Sequence, residues 1–109
     1  MKRVVITGAG TINALGHNVA QTLEAMREGR CGIGALEMRD VDRLAVKIGA
    51  QVKGFDPEGL FNRQQMSLFD RFTQFTLIAA REAISQAGLE FSDELSARSG
   101  VVLGNSGGG

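Results

Sequence analysis

The chain has no Trp and no Tyr, a single Cys (Cys31), a single His (His17) and a single Pro (Pro57). Each scarcity excludes something. Without Trp or Tyr there are few flat platforms on which the bases of a nucleic-acid single strand would stack. A lone cysteine forms no internal disulfide, which removes the disulfide-stapled secreted scaffolds. One Cys and one His fall short of the ligand set of a Cys/His zinc site. Neither charge sign is in excess, since 12 Lys and Arg balance 12 Asp and Glu. Nucleic-acid modules carry a basic surplus, so no nucleic-acid partner is expected. No apolar run reaches the ~18 residues of a membrane span. The first apolar run, Val4-Val5-Ile6, is also too short for the apolar segment of a secretory signal. A cytoplasmic protein with one domain is the expectation for 109 residues.

What the chain does have is apolar bulk (43%) and glycine (15 residues). Val4-Val5-Ile6 runs into Thr7-Gly8-Ala9-Gly10, which reads as a buried parallel strand ending in a turn. Asn18 is placed to cap a helix through about Glu28, with Val19, Leu23 and Met26 on one face and Gly29 as its stop. Gly32 and Gly34 make a loop around Cys31 and Ile33, and residues 36–45 are charged and irregular. Residues 46–52 alternate Val46, Ile48, Ala50 and Val52 with polar or small residues, the pattern of a half-exposed strand. Pro57 is suited to open a short helical turn. From Ser67 to Ala87 apolar residues wrap most of a helix, which predicts burial on more than one side, with Gly88 as its end. Asp93-Glu94-Leu95 predicts one more helical turn, and Gly100 to Leu103 a second buried strand before Gly104-Asn105-Ser106-Gly107-Gly108-Gly109. The order of elements is that of an α/β protein with a mostly parallel sheet. Such a sheet would have uncovered edges in a chain of this length, so the expectation is a portion of a longer protein.

Several residues invite a chemical reading. Val4 to Gly16 resembles a dinucleotide-binding turn, in which glycines let the backbone approach a pyrophosphate. The spacing fails, because the third glycine of G-x-G-x-x-G would fall at Asn13, and the short-chain-reductase form would need glycine at Ile12 and Ala14. No cofactor is expected. Cys31 with His17 as its base would make a thiolate nucleophile. The commoner reading is a small semi-buried cysteine and a surface histidine. Phe69, Phe72 and Phe75 would line an apolar tunnel or simply fill a core. Asp70 and Arg71 fall in the first turn of their helix, where Asp70 suits the helix dipole. Glu82 has no second carboxylate beside it for acid/base work. Asn105-Ser106-Gly107-Gly108-Gly109 offers bare backbone N–H groups for an anion nest or an oxyanion-type site, or glycines that let another backbone pass closely.

Several stretches occur in one order and spacing. They are residues 2–10 (Lys2 to Gly10) with Leu15-Gly16, residues 26–33 (Met26 to Ile33), and Asp70-Arg71-Phe72-Thr73-Gln74-Phe75. Residues 83–89 (Ala83 to Leu89) and 100–108 (Gly100 to Gly108) complete the set. Together they resemble the N-terminal part of the β-ketoacyl-acyl-carrier-protein synthases of the elongating type. The resemblance implies a thiolase-like layered α/β fold, of which residues 1–109 would be a partial N-terminal domain ending after its third strand. It implies that the Thr7-Gly8-Ala9-Gly10 turn is structural and that Cys31 stands where these enzymes often carry serine. The family's catalytic cysteine, histidines and lysine would lie beyond Gly109, leaving no catalytic residue in this segment. Asn105, Ser106, Gly107 and Gly108 would contact the acyl chain, with Gly107 at a position occupied by a bulky aliphatic gate in some subclasses. On that reading Gly107→Ile would change the preferred acyl length. The implied partners are acyl carrier protein and a second copy of the chain, and no metal or redox cofactor is implied. The competing readings are a non-catalytic chain-length-factor-like subunit, a stand-alone α/β binding module and a short-chain reductase.

Overall fold

Local hydrogen-bond chemistry sets the helices. In the computed structural model, which describes residues 1–108, helix α1 spans Val19–Arg27. The Asn18 side chain accepts the N–H of Gln21 at 2.8 Å, satisfying one of the amides a helix start leaves free. Gly29, at φ +67°, takes the left-handed turn that follows.

The helix expected over 67–87 forms as two. Asn62 and Gln65 make a reciprocal capping box that starts α2, Arg63–Leu68. The chain then extends through Phe69 and Asp70. Asp70 restarts it as the N-cap of α3, Arg71–Ala87, accepting the Thr73 N–H at 3.1 Å and its hydroxyl at 2.6 Å. Asp70 therefore sits before the first turn, not inside it. Its short carboxylate competes for backbone amides and favours a fresh start over helix continuation. Gly88, at φ +62°, ends α3 as expected. Pro57 does open a turn, its carbonyl accepting from Leu60 and Phe61. Ser92 caps a final short helix α4, Asp93–Arg98.

The strands depart further from expectation. Of residues 46–52 only Ile48–Gly49 (β2) pairs, antiparallel to Gly34–Ala35 (β1), with Gly34 opposite Gly49 and Ala35 opposite Ile48. This is the only ladder of named strands among the described residues. The two predicted buried strands form none. Val4 and Ile6 are 98% and 93% exposed, and Val101 and Val102 are 93% and 100% exposed. A strand satisfies its backbone only through a neighbour, and these apolar runs meet no neighbouring strand among the described residues.

The core is correspondingly small: Ala25 and Phe61 are buried, with Gln74 as the buried polar residue. Gln74 is satisfied through its side-chain amide, which donates to the Phe69 carbonyl at 3.0 Å across the break between α2 and α3. The rest of α3 is half-buried or exposed, so its apolar girth is not enclosed on several sides. The chain exposes 8967 Å², where a folded protein of this mass exposes about 5,800 Å². Its radius of gyration is 17.0 Å, against about 13 Å for a compact domain of this length.

Candidate functional site

Two places carry the glycines that suggested chemistry. The first is the turn after Ile6. Gly8 and Gly10 lie directly on α3, and a Cβ on either would overlap the carbonyl oxygen of Ala83 or Ala79. The glycines are there so that one backbone can rest on another. The amides that follow each of them are also spent. Ala9 N–H donates to Gln86 Oε1 at 2.6 Å and Thr11 N–H to Glu82 Oε2 at 2.9 Å. The other oxygen of Glu82 accepts the N–H of Val19, the first residue of α1, at 2.8 Å. Two amides of the turn are thus held by side chains of α3, and its glycines serve the close approach of the two backbones.

Glu82 was not legible as anything but an unpaired carboxylate. It joins α3, the glycine turn and the start of α1, and its negative charge faces the positive end of the α1 dipole. Asn13 completes this junction, donating to Thr11 Oγ1 and Thr22 Oγ1, both at 3.0 Å, and accepting the Leu15 N–H at 2.8 Å. The signal that would have found Glu82 is a lone acid on the small-residue face of α3 that also carries Ala79 and Ala83, where a glycine segment brings bare amides.

Cys31 and His17 do not make a nucleophile pair. Cys31 is exposed, not semi-buried, and its Sγ is 4.0 Å from the Ile33 carbonyl. It stands in an open concavity of about 650 Å³ with Leu15, Ile33 and Val52. His17 faces elsewhere. Its Nε2 lies 2.7 Å from the Lys53 carbonyl, so that nitrogen donates and does not serve as a base. The ring meets Phe55 edge-on.

The three phenylalanines of the expected tunnel also separate. Phe69 packs edge-on against Phe61, whose ring lies under the Arg81 guanidinium at 5.1 Å. Phe75 packs against Phe55 at 5.0 Å, and Arg71 covers both rings while donating to the Val52 carbonyl at 2.9 Å. Phe72 alone turns towards the second glycine-rich segment.

That segment is the turn formed by Asn105, Ser106, Gly107 and Gly108; Gly109 lies outside the described residues. Gly107 is left-handed at φ +72°, with open space where a Cβ would stand. Gly108 donates its N–H to Asn105 Oδ1 at 2.9 Å, which closes the turn on itself. A Cβ on Gly108 would stand 3.1 Å from Cγ and Cδ1 of Phe72, so the turn sits against the face of that ring. Gly108 accommodates an aromatic side chain there, and its own amide, one of the expected free donors, is occupied.

Comparison with known proteins gives these features a context. The model of the beta-ketoacyl synthase N-terminal domain matches residues 1–109. The 3-oxoacyl-(acyl-carrier-protein) synthase 2 of Staphylococcus aureus strain N315 is 36% identical over 108 residues, 99% of this chain and 26% of that protein. Nodulation protein E of Rhizobium sp. strain N33 is 39% identical over 108 residues, 99% of this chain and 27% of that protein. The Coxiella burnetii 3-oxoacyl-(acyl-carrier-protein) synthase 2 is 33% identical over the same length. The chain spans about a quarter of the length of these relatives. With a structural glycine turn after residue 6, a capped helix beyond it and the family pattern running from end to end, the chain belongs to the beta-ketoacyl synthase N-terminal domain family.

Proposed function

We propose that residues 1–109 are a partial N-terminal domain of an elongating 3-oxoacyl-(acyl-carrier-protein) synthase. The observation that carries this reading is the match over the whole chain to the family model, together with relatives bearing that enzyme's name. In the reaction, a cysteine thiolate attacks an acyl-carrier-protein thioester and releases the carrier thiol. Malonyl-carrier protein loses carbon dioxide, and the electron pair left on carbon attacks the acyl-cysteine carbonyl. The cysteine thiolate then leaves, and 3-oxoacyl-carrier protein is formed. Histidines and an oxyanion hole stabilise the developing charge. The nucleophile, the histidines and the lysine belong to sequence beyond Gly109, and residues 1–109 act as scaffold and pocket wall.

Asn105, Ser106, Gly107 and Gly108 are the acyl-contacting residues of this reading. The surrounding fold is thiolase-like, with Val4–Ile6 and Gly100–Leu103 as strands of a mostly parallel sheet. Their exposed apolar side chains support that placement, because such runs are the composition of central strands covered on both faces. The enzyme works as a cytoplasmic homodimer with acyl carrier protein as partner. No helix among the described residues is long and apolar enough to cross a membrane.

The test takes the native polypeptide that contains this segment, establishes its mass, and supplies it with acyl- and malonyl-carrier protein. Carbon dioxide release with formation of 3-oxoacyl-carrier protein is the expected result. A protein of full family length that binds a catalytic partner but forms no acyl-cysteine would be a non-catalytic subunit instead. A native mass of 11.6 kDa would remove the enzyme reading for this chain.

A further inference from the structure

Gly107 is the position at which a side chain was expected to set acyl length, yet its backbone is left-handed, at φ +72°. A β-branched residue such as Ile is strongly disfavoured there whatever the free space. Gly108, next in the turn, lies close against the Phe72 ring, which belongs to the first turn of α3 and is half-buried. The Phe72 backbone belongs to the helix capped by Asp70, where its carbonyl accepts the Thr76 hydroxyl at 2.9 Å. The turn itself is closed by the Asn105–Gly108 hydrogen bond. The Phe72 ring therefore lies directly behind the glycine end of the turn.

We propose that Phe72 is a specificity-determining residue, whose ring volume sets the depth of the acyl site at the Asn105–Gly108 turn. This rests on the acyl-contacting role given to that turn above. A smaller residue at 72 lets the turn settle towards α3 and lengthens the channel; a larger one pushes it outwards and shortens the channel.

The experiment uses the native full-length enzyme with a series of saturated acyl-carrier proteins and measures kcat/KM for each chain length. Phe72→Leu and Phe72→Ala are expected to shift the ratio of long to short acyl chains upward, by on the order of tenfold for a change of about one methylene in the pocket. Phe72→Trp is expected to shift it downward. Opposite directions for the smaller and larger residues establish the role, since a general loss of stability lowers all chain lengths alike. An equal loss across the series, no change, or a shift of the same sign in both directions overturns it while leaving the condensing activity in place. A wild-type enzyme that condenses no acyl chain overturns the activity reading itself, and this inference with it.

Discussion

Two parts of the chain answer differently to similar apolar sequence. Around Glu82, residues 8–22 and α3 are joined by hydrogen bonds from Ala9, Thr11 and Val19, and by glycine backbones resting on Ala79 and Ala83. At Val4–Ile6 and Val101–Leu103 the side chains are as apolar as any in the protein, yet they are exposed and form no ladder. The first region satisfies its polar groups from within the segment. The second consists of strand sequence, whose amides need a neighbouring strand and whose side chains need a layer on each face. Hydrophobicity alone therefore did not decide which region packs against α3; the availability of hydrogen-bond partners did.

If that contrast is right, the junction should be the more sensitive region in the 109-residue chain. Gly10→Val is expected to have the largest effect. Its Cβ would overlap the Ala79 carbonyl oxygen, and the helix must move away from the turn. The loss should reach or exceed the roughly 1–3 kcal/mol of ordinary overpacking, read as a lowered midpoint in urea. Glu82→Ala comes next. It leaves the Thr11 and Val19 amides without their acceptor, at a cost of about 1–3 kcal/mol. Glu82→Gln retains one carbonyl acceptor and should lose less. Equal urea midpoints for Glu82→Ala and wild type would dissolve the distinction between the regions. Asp70→Ala removes the cap that separates α2 from α3 and should cost about 1 kcal/mol. Far-ultraviolet circular dichroism would register that as fraying at the start of α3.

The helices were readable because their determinants are near in sequence. Asn18, Gly29 and Gly88 each act within a few residues, and all three do what their type predicts. The break at Phe69 and Asp70 was also written locally, in the Asn62–Gln65 box and the Asp70–Thr73 cap, but the continuous apolar pattern of residues 67–87 concealed it. The antiparallel pairing of Gly34–Ala35 with Ile48–Gly49 was less accessible, because register depends on where a charged, irregular loop brings its ends. Glu82 was illegible for the opposite reason. Its partners lie 71 and 63 residues away, and nothing beside it in sequence marks them. The turn at 105–108 was recognisable by composition, but its left-handed glycine and its contact with Phe72 required the fold.

The smallest expected effect is the sharpest test of the comparison. Val102 is fully exposed in this chain, so Val102→Thr should change stability there by no more than about 0.5 kcal/mol, the range of ordinary surface substitutions. On the proposed thiolase-like fold of a longer protein, the same residue would occupy a central strand covered on both faces. Thr retains the strand-favouring branch but places a hydroxyl in an apolar layer, and the cost there should exceed 1 kcal/mol, within the about 1–3 kcal/mol that mutational data give for an uncompensated buried polar group. Thermal unfolding of both forms, with and without the substitution, measures the difference. A large loss already in the 109-residue chain would mean that residues 101–103 have found a partner within it. A negligible loss in both would mean that these residues never enter a sheet, which would set the chain apart from the layered fold its family membership implies.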